Sequence, residues 1–107
     1  MFLQQAPQTY VWTHHSHEKM RYYRLTESRV RRIIRHPARI EEGILDGAIA
    51  CMQKAEGKNY SEIWVMYALK EKQIIVITAW RYPGKSPERD PVPQSVLGEV
   101  RNIIAGI

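Results

Sequence analysis

Cysteine is nearly absent from this 107-residue chain: Cys51 stands alone. A lone thiol excludes an internal disulfide, and the simplest reading is a reducing compartment. Within an apolar segment it reads as an inert core thiol, not a nucleophile. Glycine-rich phosphate loops and dinucleotide fingerprints are missing, which removes the commonest nucleotide-binding motifs, and no cofactor is expected. No apolar run approaches the roughly 20 residues that a membrane helix needs. The opening MFLQQAPQTY has neither a basic start nor a sustained apolar stretch, so no secretory signal is expected. There are no internal repeats. These absences lead to the expectation of one cytoplasmic domain over residues 1–107, with no membrane partner and with 1–8 as a loose arm. At 44% hydrophobic residues the chain can bury a core and escapes the composition of global disorder.

What is present is positive charge gathered in one place. Residues 13–39 hold Lys19, Arg21, Arg24, Arg29, Arg31, Arg32, Arg35 and Arg39 against Glu18 and Glu27. That stretch is +6 while the whole chain is +5, so everything outside it sums to −1. All four histidines also fall inside it. A local positive field of this kind attracts a polyanion, and nucleic acid is the common one. A charge run is often only a solvated face. Here the arginines are expected to lack carboxylate partners one turn away, which raises the weight of anion binding.

The periodicities give an order of elements. Residues 9–13 (TYVWT) are β-branched and aromatic, and predict a short strand. Met20 and Tyr23, with Leu25 nearby, predict a short helix over 14–24. Thr26 is a good N-cap with Glu27 in the first turn, and Val30, Ile33 and Ile34 make an apolar stripe ended by Pro37. From Arg39 the period moves towards two: Ile40, Glu42 and Ile44 alternate, and Leu45-Asp46-Gly47 offers a turn. Residues 48–54 predict a strand, and Glu56-Gly57-Lys58-Asn59 a hairpin connection. In 62–70, Ile63, Val65, Tyr67 and Leu69 share one face and Trp64, Met66 and Ala68 the other. Both faces are apolar, which predicts a central strand. Glu71-Lys72 turns into another near-continuous apolar strand over 73–81. Residues 82–93 hold four of the six prolines and predict a loop. Val96, Leu97, Val100, Ile103 and Ile104 form the stripe of a closing amphipathic helix, expected to pack on the sheet. The class is α+β: two N-terminal helices on a small antiparallel sheet of three to four strands, plus a C-terminal helix.

Several strings in this order carry a likeness. His15-Ser16-His17-Glu18-Lys19-Met20, then Arg24-Leu25-Thr26, then Val30 through Pro37, and finally Thr78-Ala79-Trp80-Arg81-Tyr82-Pro83 resemble the RelE/ParE/BrnT-like toxin superfamily. Within it the chain is most similar to a small bacterial domain of unassigned function. The likeness spans about residues 10 to 83 and its motifs are degenerate. It implies a RelE-like sheet packed by two helices. It also implies an RNA partner, with cleavage of messenger RNA, often on the ribosome, and an antitoxin protein that holds the toxin inactive. Fold alone does not transfer such an activity.

Metal-independent RNA cleavage needs a base for the 2′-hydroxyl, a cation for the phosphate and an acid for the leaving oxygen. His15 and Lys19, in the opening motif, sit four apart and would share a helix face; histidine titrates near neutrality. Arg81 would supply a second cation and Tyr82 a stacking or acidic hydroxyl group. Arg24, Arg29, Arg31, Arg32 and Arg35 would hold backbone phosphates, and Trp80 would stack on a base unless it belongs to the core. Arg81 has a structural alternative in an ion pair with Glu41 or Glu42. A metal is not expected: His14-His15-x-His17 can chelate only if extended, and no second ligand pair follows. The leading expectation is thus an RNA-binding, toxin-like protein, either an endoribonuclease or a degenerate relative that still binds RNA. The other reading is a non-enzymatic module that grips nucleic acid backbone or a protein partner through its basic helix.

Overall fold

The computed structural model describes residues 9–42 and 45–107. The proposed loose arm and Ile44 of the expected alternation lie outside the described residues. The elements run β1 (Thr9–Trp12), α1 (His14–Tyr23), α2 (Glu27–Arg35), β2 (Arg39–Glu42), β3 (Ile49–Lys54), β4 (Ser61–Lys70), β5 (Gln73–Pro83) and α3 (Gln94–Ala105). The α+β class stands, but the arrangement differs from the expected antiparallel sheet. Five strands form one mixed sheet in the order β1-β5-β4-β3-β2. β1 is the difference: it pairs with β5 in parallel, Thr9 opposite Gln73 and Trp12 opposite Val76. A four-residue edge strand carries too little pattern to declare its direction, because that depends on where the chain re-enters the sheet.

Helix starts were legible. Thr13 caps α1, its hydroxyl accepting from the Ser16 amide at 3.0 Å. The same hydroxyl donates towards the Val76 and Ile77 carbonyls, at 3.0 and 3.1 Å, and so fastens α1 to β5. Thr26 caps α2 by accepting from the Arg29 amide at 3.0 Å. Pro37 follows the end of α2, where Gln53 on β3 donates to the Arg32 and His36 carbonyls at 3.2 and 2.9 Å. The Arg32 carbonyl also accepts from the His36 amide at 2.9 Å, so the glutamine adds a second donor there and supplies one to the His36 carbonyl beyond the helix end.

β4 is central, and its two apolar faces each meet a separate core. On one side Ile63, Val65 and Tyr67 join Cys51, Ile74, Val76 and Ala79 beneath Met20 of α1 and Val30, Ile33 and Ile34 of α2. On the other side Trp64, Met66 and Ala68 join Ala50, Met52, Ile77 and Trp80 beneath Val96, Leu97 and Val100 of α3. The closing helix therefore packs at home, on the face opposite α2, and it also meets α1, where Lys19 pairs with Glu99 at 3.1 Å. Cys51 is inert as expected: burial pushes its thiol up to about 12, and it donates to the Ile33 carbonyl at 3.8 Å. Among the described residues no helix is long and apolar enough to cross a membrane.

β5 contains one residue too many for its partner. Tyr67 stands opposite Val76 and Met66 opposite Thr78, leaving Ile77 unpaired as a bulge. A one-residue insertion moves every later side chain to the other face. Ile74 and Val76 point towards α1 and α2, and beyond the bulge it is Ala79, an odd-numbered position, that does so.

The proline-rich stretch is not loose. Its first two residues complete β5, and Ser86 is buried. Ser86 donates from its hydroxyl and its amide to Glu62 Oε1, at 2.5 and 3.3 Å. Glu62 is 0% exposed and also accepts from Trp64 Nε1 at 2.9 Å and the Tyr60 hydroxyl at 2.8 Å. Arg39 lies over the Trp64 ring at 4.8 Å and donates to Ser86 and Pro87. Burial pushes the Glu62 carboxyl up, but its donors outweigh that and hold it below the ordinary value. The carboxylate's contribution to stability is then complete above the unfolded pKa and is lost as pH falls through the folded one. Glu62→Gln should cost about 3 kcal/mol, because the amide keeps the volume but aims a donor at donors. Urea denaturation at pH 7 measures this, and the gap from wild type should narrow as pH falls below about 4.

Candidate nucleic-acid interface

The corner between α1 and α2 is built by a backbone conformation that suits glycine and is occupied by arginine. Arg24 has φ 58 and ψ 50, in the left-handed region. Its amide bonds the Arg21 carbonyl at 3.2 Å and the Leu25 amide bonds the Met20 carbonyl at 2.8 Å. This pair of bonds is the Schellman closure of a helix, completed by Met20 and Leu25 burying together in the first core. A side chain at that position costs roughly 1 kcal/mol relative to glycine. The chain carries the cost and gains a long cation at the corner.

Arg24 faces a cleft of about 430 Å³ lined also by Leu25, Thr26, Ser28, Arg29, Arg32, Glu56, Ile63 and Arg81. Arg29 is tied to Glu56, with its Nη1 at 2.5 and 3.0 Å from the two carboxylate oxygens, and its Nη2 donates to the Lys54 carbonyl at 3.2 Å. Glu56 arrives on the β3–β4 hairpin, where Gly57 takes φ +133, a region that favours glycine. The hydrogen bond from Arg29, and then its charge, hold the Glu56 carboxyl below the usual carboxylate range. Arg81 donates from Nε and Nη2 to the Tyr23 carbonyl, at 3.1 and 3.0 Å, instead of pairing with Glu41 or Glu42. Arg24 and Arg32 are exposed and form no salt bridge among the described residues, although the charge of Arg32 also reaches Glu56 and helps to hold its carboxyl down. Four guanidinium groups thus share one cleft with one carboxylate, an excess of three positive charges. The first turn of α2, beginning at the Thr26 cap, opens on the same space and adds its dipole.

A second hollow, about 490 Å³, continues along α2 and shares Ser28 and Arg32 with the first. Arg31, Arg35 and His36 complete it. Arg31 lies over the rings of Tyr10 and Trp12 at 5.3 and 5.6 Å, and Arg35 over Tyr10 at 6.0 Å. The expectation that no carboxylate sits one turn away fails at one position. Glu27 is four residues before Arg31 and pairs with it at 3.4 Å. Arg39 is also spent internally, 3.2 Å from Glu41.

The residues expected to do chemistry divide among three places. Arg81 stands with Arg24, Arg29 and Arg32. His15 and Lys19 share a face, as their spacing predicts, but that face meets α3: Lys19 Nζ is 3.1 Å and His15 Nε2 4.0 Å from Glu99. Tyr82 falls on the other side of the sheet from Arg81, against the core under α3. Trp80 is 1% exposed and stacks on Trp64 at 5.8 Å, so its ring is closed to a base. Its position after the bulge places it inward. The three helical histidines diverge: His14 meets Glu18, His17 meets Glu27, and His15 faces Glu99. Among the described residues no three metal-ligating side chains gather at one point. Sequence reasoning missed Glu56 and Ser28. No local signal marks either, since hairpin pairing brings Glu56 across 27 residues to Arg29.

No family model, curated protein or solved structure matches the chain.

Replacing Arg24 by glycine separates the two uses of the corner. Arg24→Gly should raise stability by about 1 kcal/mol in thermal or urea denaturation, since the strained φ is relieved. It should at the same time weaken binding of a polyanion. A variant that is less stable than wild type would show that the arginine is there for the fold.

Proposed function

We propose that this protein binds the phosphate backbone of RNA in the arginine-lined cleft at the α1–α2 corner. One observation carries the reading: four arginines converge on a cleft holding a single carboxylate, and Arg24 and Arg32 form no salt bridge among the described residues. Like charges brought together repel, and a fold that gathers four of them around one carboxylate is arranged for an external anion. Guanidinium forks match phosphate oxygens in pairs, which favours a phosphate over a lone carboxylate. RNA is the polyanion that the RelE-like resemblance suggests, and the hollow along α2 offers a continuing track for its backbone.

Binding is favoured over cleavage. Cleavage asks for an acid, a base and a cation within reach of one phosphate. His15 and Lys19 lie against Glu99, while Tyr82 lies across the sheet from Arg81. The acid-base candidate in the cleft itself is Glu56, engaged by Arg29.

Anisotropy titration of a labelled RNA oligomer at several salt concentrations tests the reading. The logarithm of the affinity should fall linearly with the logarithm of salt, because each neutralised phosphate releases counterions. Arg32→Ala and Arg81→Ala should each lower that slope by about one. Salt-independent binding, or slopes unchanged in both variants, would remove the proposal. RNA cleavage abolished by His15→Ala, with growth arrest on expression, would return the enzymatic, toxin reading.

Glu56→Gln should tighten the same binding several-fold, because it removes the one negative charge competing for Arg29. Wild type should gain affinity in the same direction as acid protonates Glu56, whose depressed pKa places this gain below the ordinary carboxylate range.

A further inference from the structure

Two residues before Arg24, the chain leaves an aromatic ring in the open. Tyr22 is 76% exposed, although it belongs to a helix whose neighbouring Tyr23 is packed against both cores. The exposed ring is nonetheless braced. It meets Tyr23 in an edge-to-face contact, centroids 4.8 Å apart at 89°, and Lys19 Nζ stands 5.9 Å from its centroid. Ordering the ring in advance lowers the entropy that a ligand must pay to stack on it.

Tyr22 also forms one wall of a hollow of about 250 Å³ completed by His15, Glu18, Lys19 and Glu99. These side chains offer donors and acceptors around an aromatic floor. One of them is unspent: His15 Nε2 is buried and has no hydrogen-bond partner, since Glu99 stands 4.0 Å away, beyond bonding distance. A flat, apolar-faced ligand with polar edges fits this description, and a nucleobase is such a ligand.

Tyr22 of the hollow and Arg24 of the cleft flank Tyr23, the last residue of α1. Tyr22 and Arg24 have Cα atoms within about 7 Å of each other by chain geometry. A base and the phosphates flanking it need such a pair of sites side by side. In a duplex the base is stacked and paired, so its face is not offered to a protein ring; in a single strand it is.

We infer that the strand bound at the cleft is single-stranded and that Tyr22 stacks on one of its bases, with the Lys19–Glu99 pair beside that base's edge. The inference rests on the cleft being the phosphate site.

The test compares a single-stranded RNA oligomer, the same oligomer annealed to its complement, and inorganic polyphosphate, which has charge but no bases. Wild type should bind the single strand at least tenfold more tightly than the duplex. Tyr22→Ala should lose about tenfold on the single strand, within the range found for removal of one stacking ring. Tyr22→Phe should keep most of the affinity. Tyr22→Ala should leave both polyphosphate binding and the salt slope unchanged, whereas Arg32→Ala lowers the slope. If Arg32→Ala weakens RNA binding and Tyr22→Ala does not, the stacking inference falls and the phosphate cleft stands. Equal affinity for duplex and single strand has the same meaning. If wild type binds neither RNA nor polyphosphate, both fall together.

Discussion

A single unpaired residue in β5 governs how this molecule is laid out. Ile77 has no partner on β4, so the strand bends and its side chains exchange faces beyond that point. Without the extra residue Arg81 would be carried to the α3 side, and Trp80 to the side of α1 and α2. With it, Arg81 reaches the Tyr23 carbonyl and closes the corner between the two N-terminal helices. The Thr13 hydroxyl, donating to the Val76 and Ile77 carbonyls, fixes the start of α1 at the same irregularity. One bulge therefore bears on both ends of α1 and places Arg81 at the cleft.

The corner shows where stability gives way to charge. Schellman closures take glycine most readily, and here Arg24 takes the left-handed φ instead. Elsewhere the basic residues are handled conservatively. Lys19 meets Glu99, Arg29 meets Glu56, Arg31 meets Glu27 and Arg39 meets Glu41. Exposed pairs of this kind contribute little to stability but do cancel field. In the cleft that α2, β5 and the β3–β4 hairpin enclose, Arg24, Arg32 and Arg81 form no salt bridge among the described residues, and Glu56 is the one carboxylate among the lining residues. The buried cluster around Glu62 belongs to the opposite face, where it straps the proline-rich segment down against Trp64 and Arg39.

Much of the architecture could be read from local chemistry. Thr26, Pro37 and the Val30-Ile33-Ile34 stripe place α2 to within a residue. The two-sided apolar pattern of β4 announces a central strand. Tyr22 and Tyr23, neighbours on α1, divide between solvent and core. The site was less legible. Arg24, Arg29, Arg32 and Arg81 were all suspected as phosphate ligands or cations, yet nothing in their spacing joins Arg81 to the other three. Trp80 reads from sequence as either a stacking ring or a core residue and Tyr82 as a partner of Arg81, but neighbours on a strand point to opposite sides, and both rings pack against the core under α3.

Residue order alone determined the helix limits, the apolar faces of β4 and the concentration of charge in the first third of the chain. Each of these is written in caps, periods and counts that act over a few residues. The tertiary structure decided which arginines keep their field, which face Arg81 takes and that β1 runs parallel to β5. Those outcomes depend on pairings across tens of residues. In a strand apolar on both sides, burial is satisfied by either face, so the pattern cannot reveal a shift of one residue.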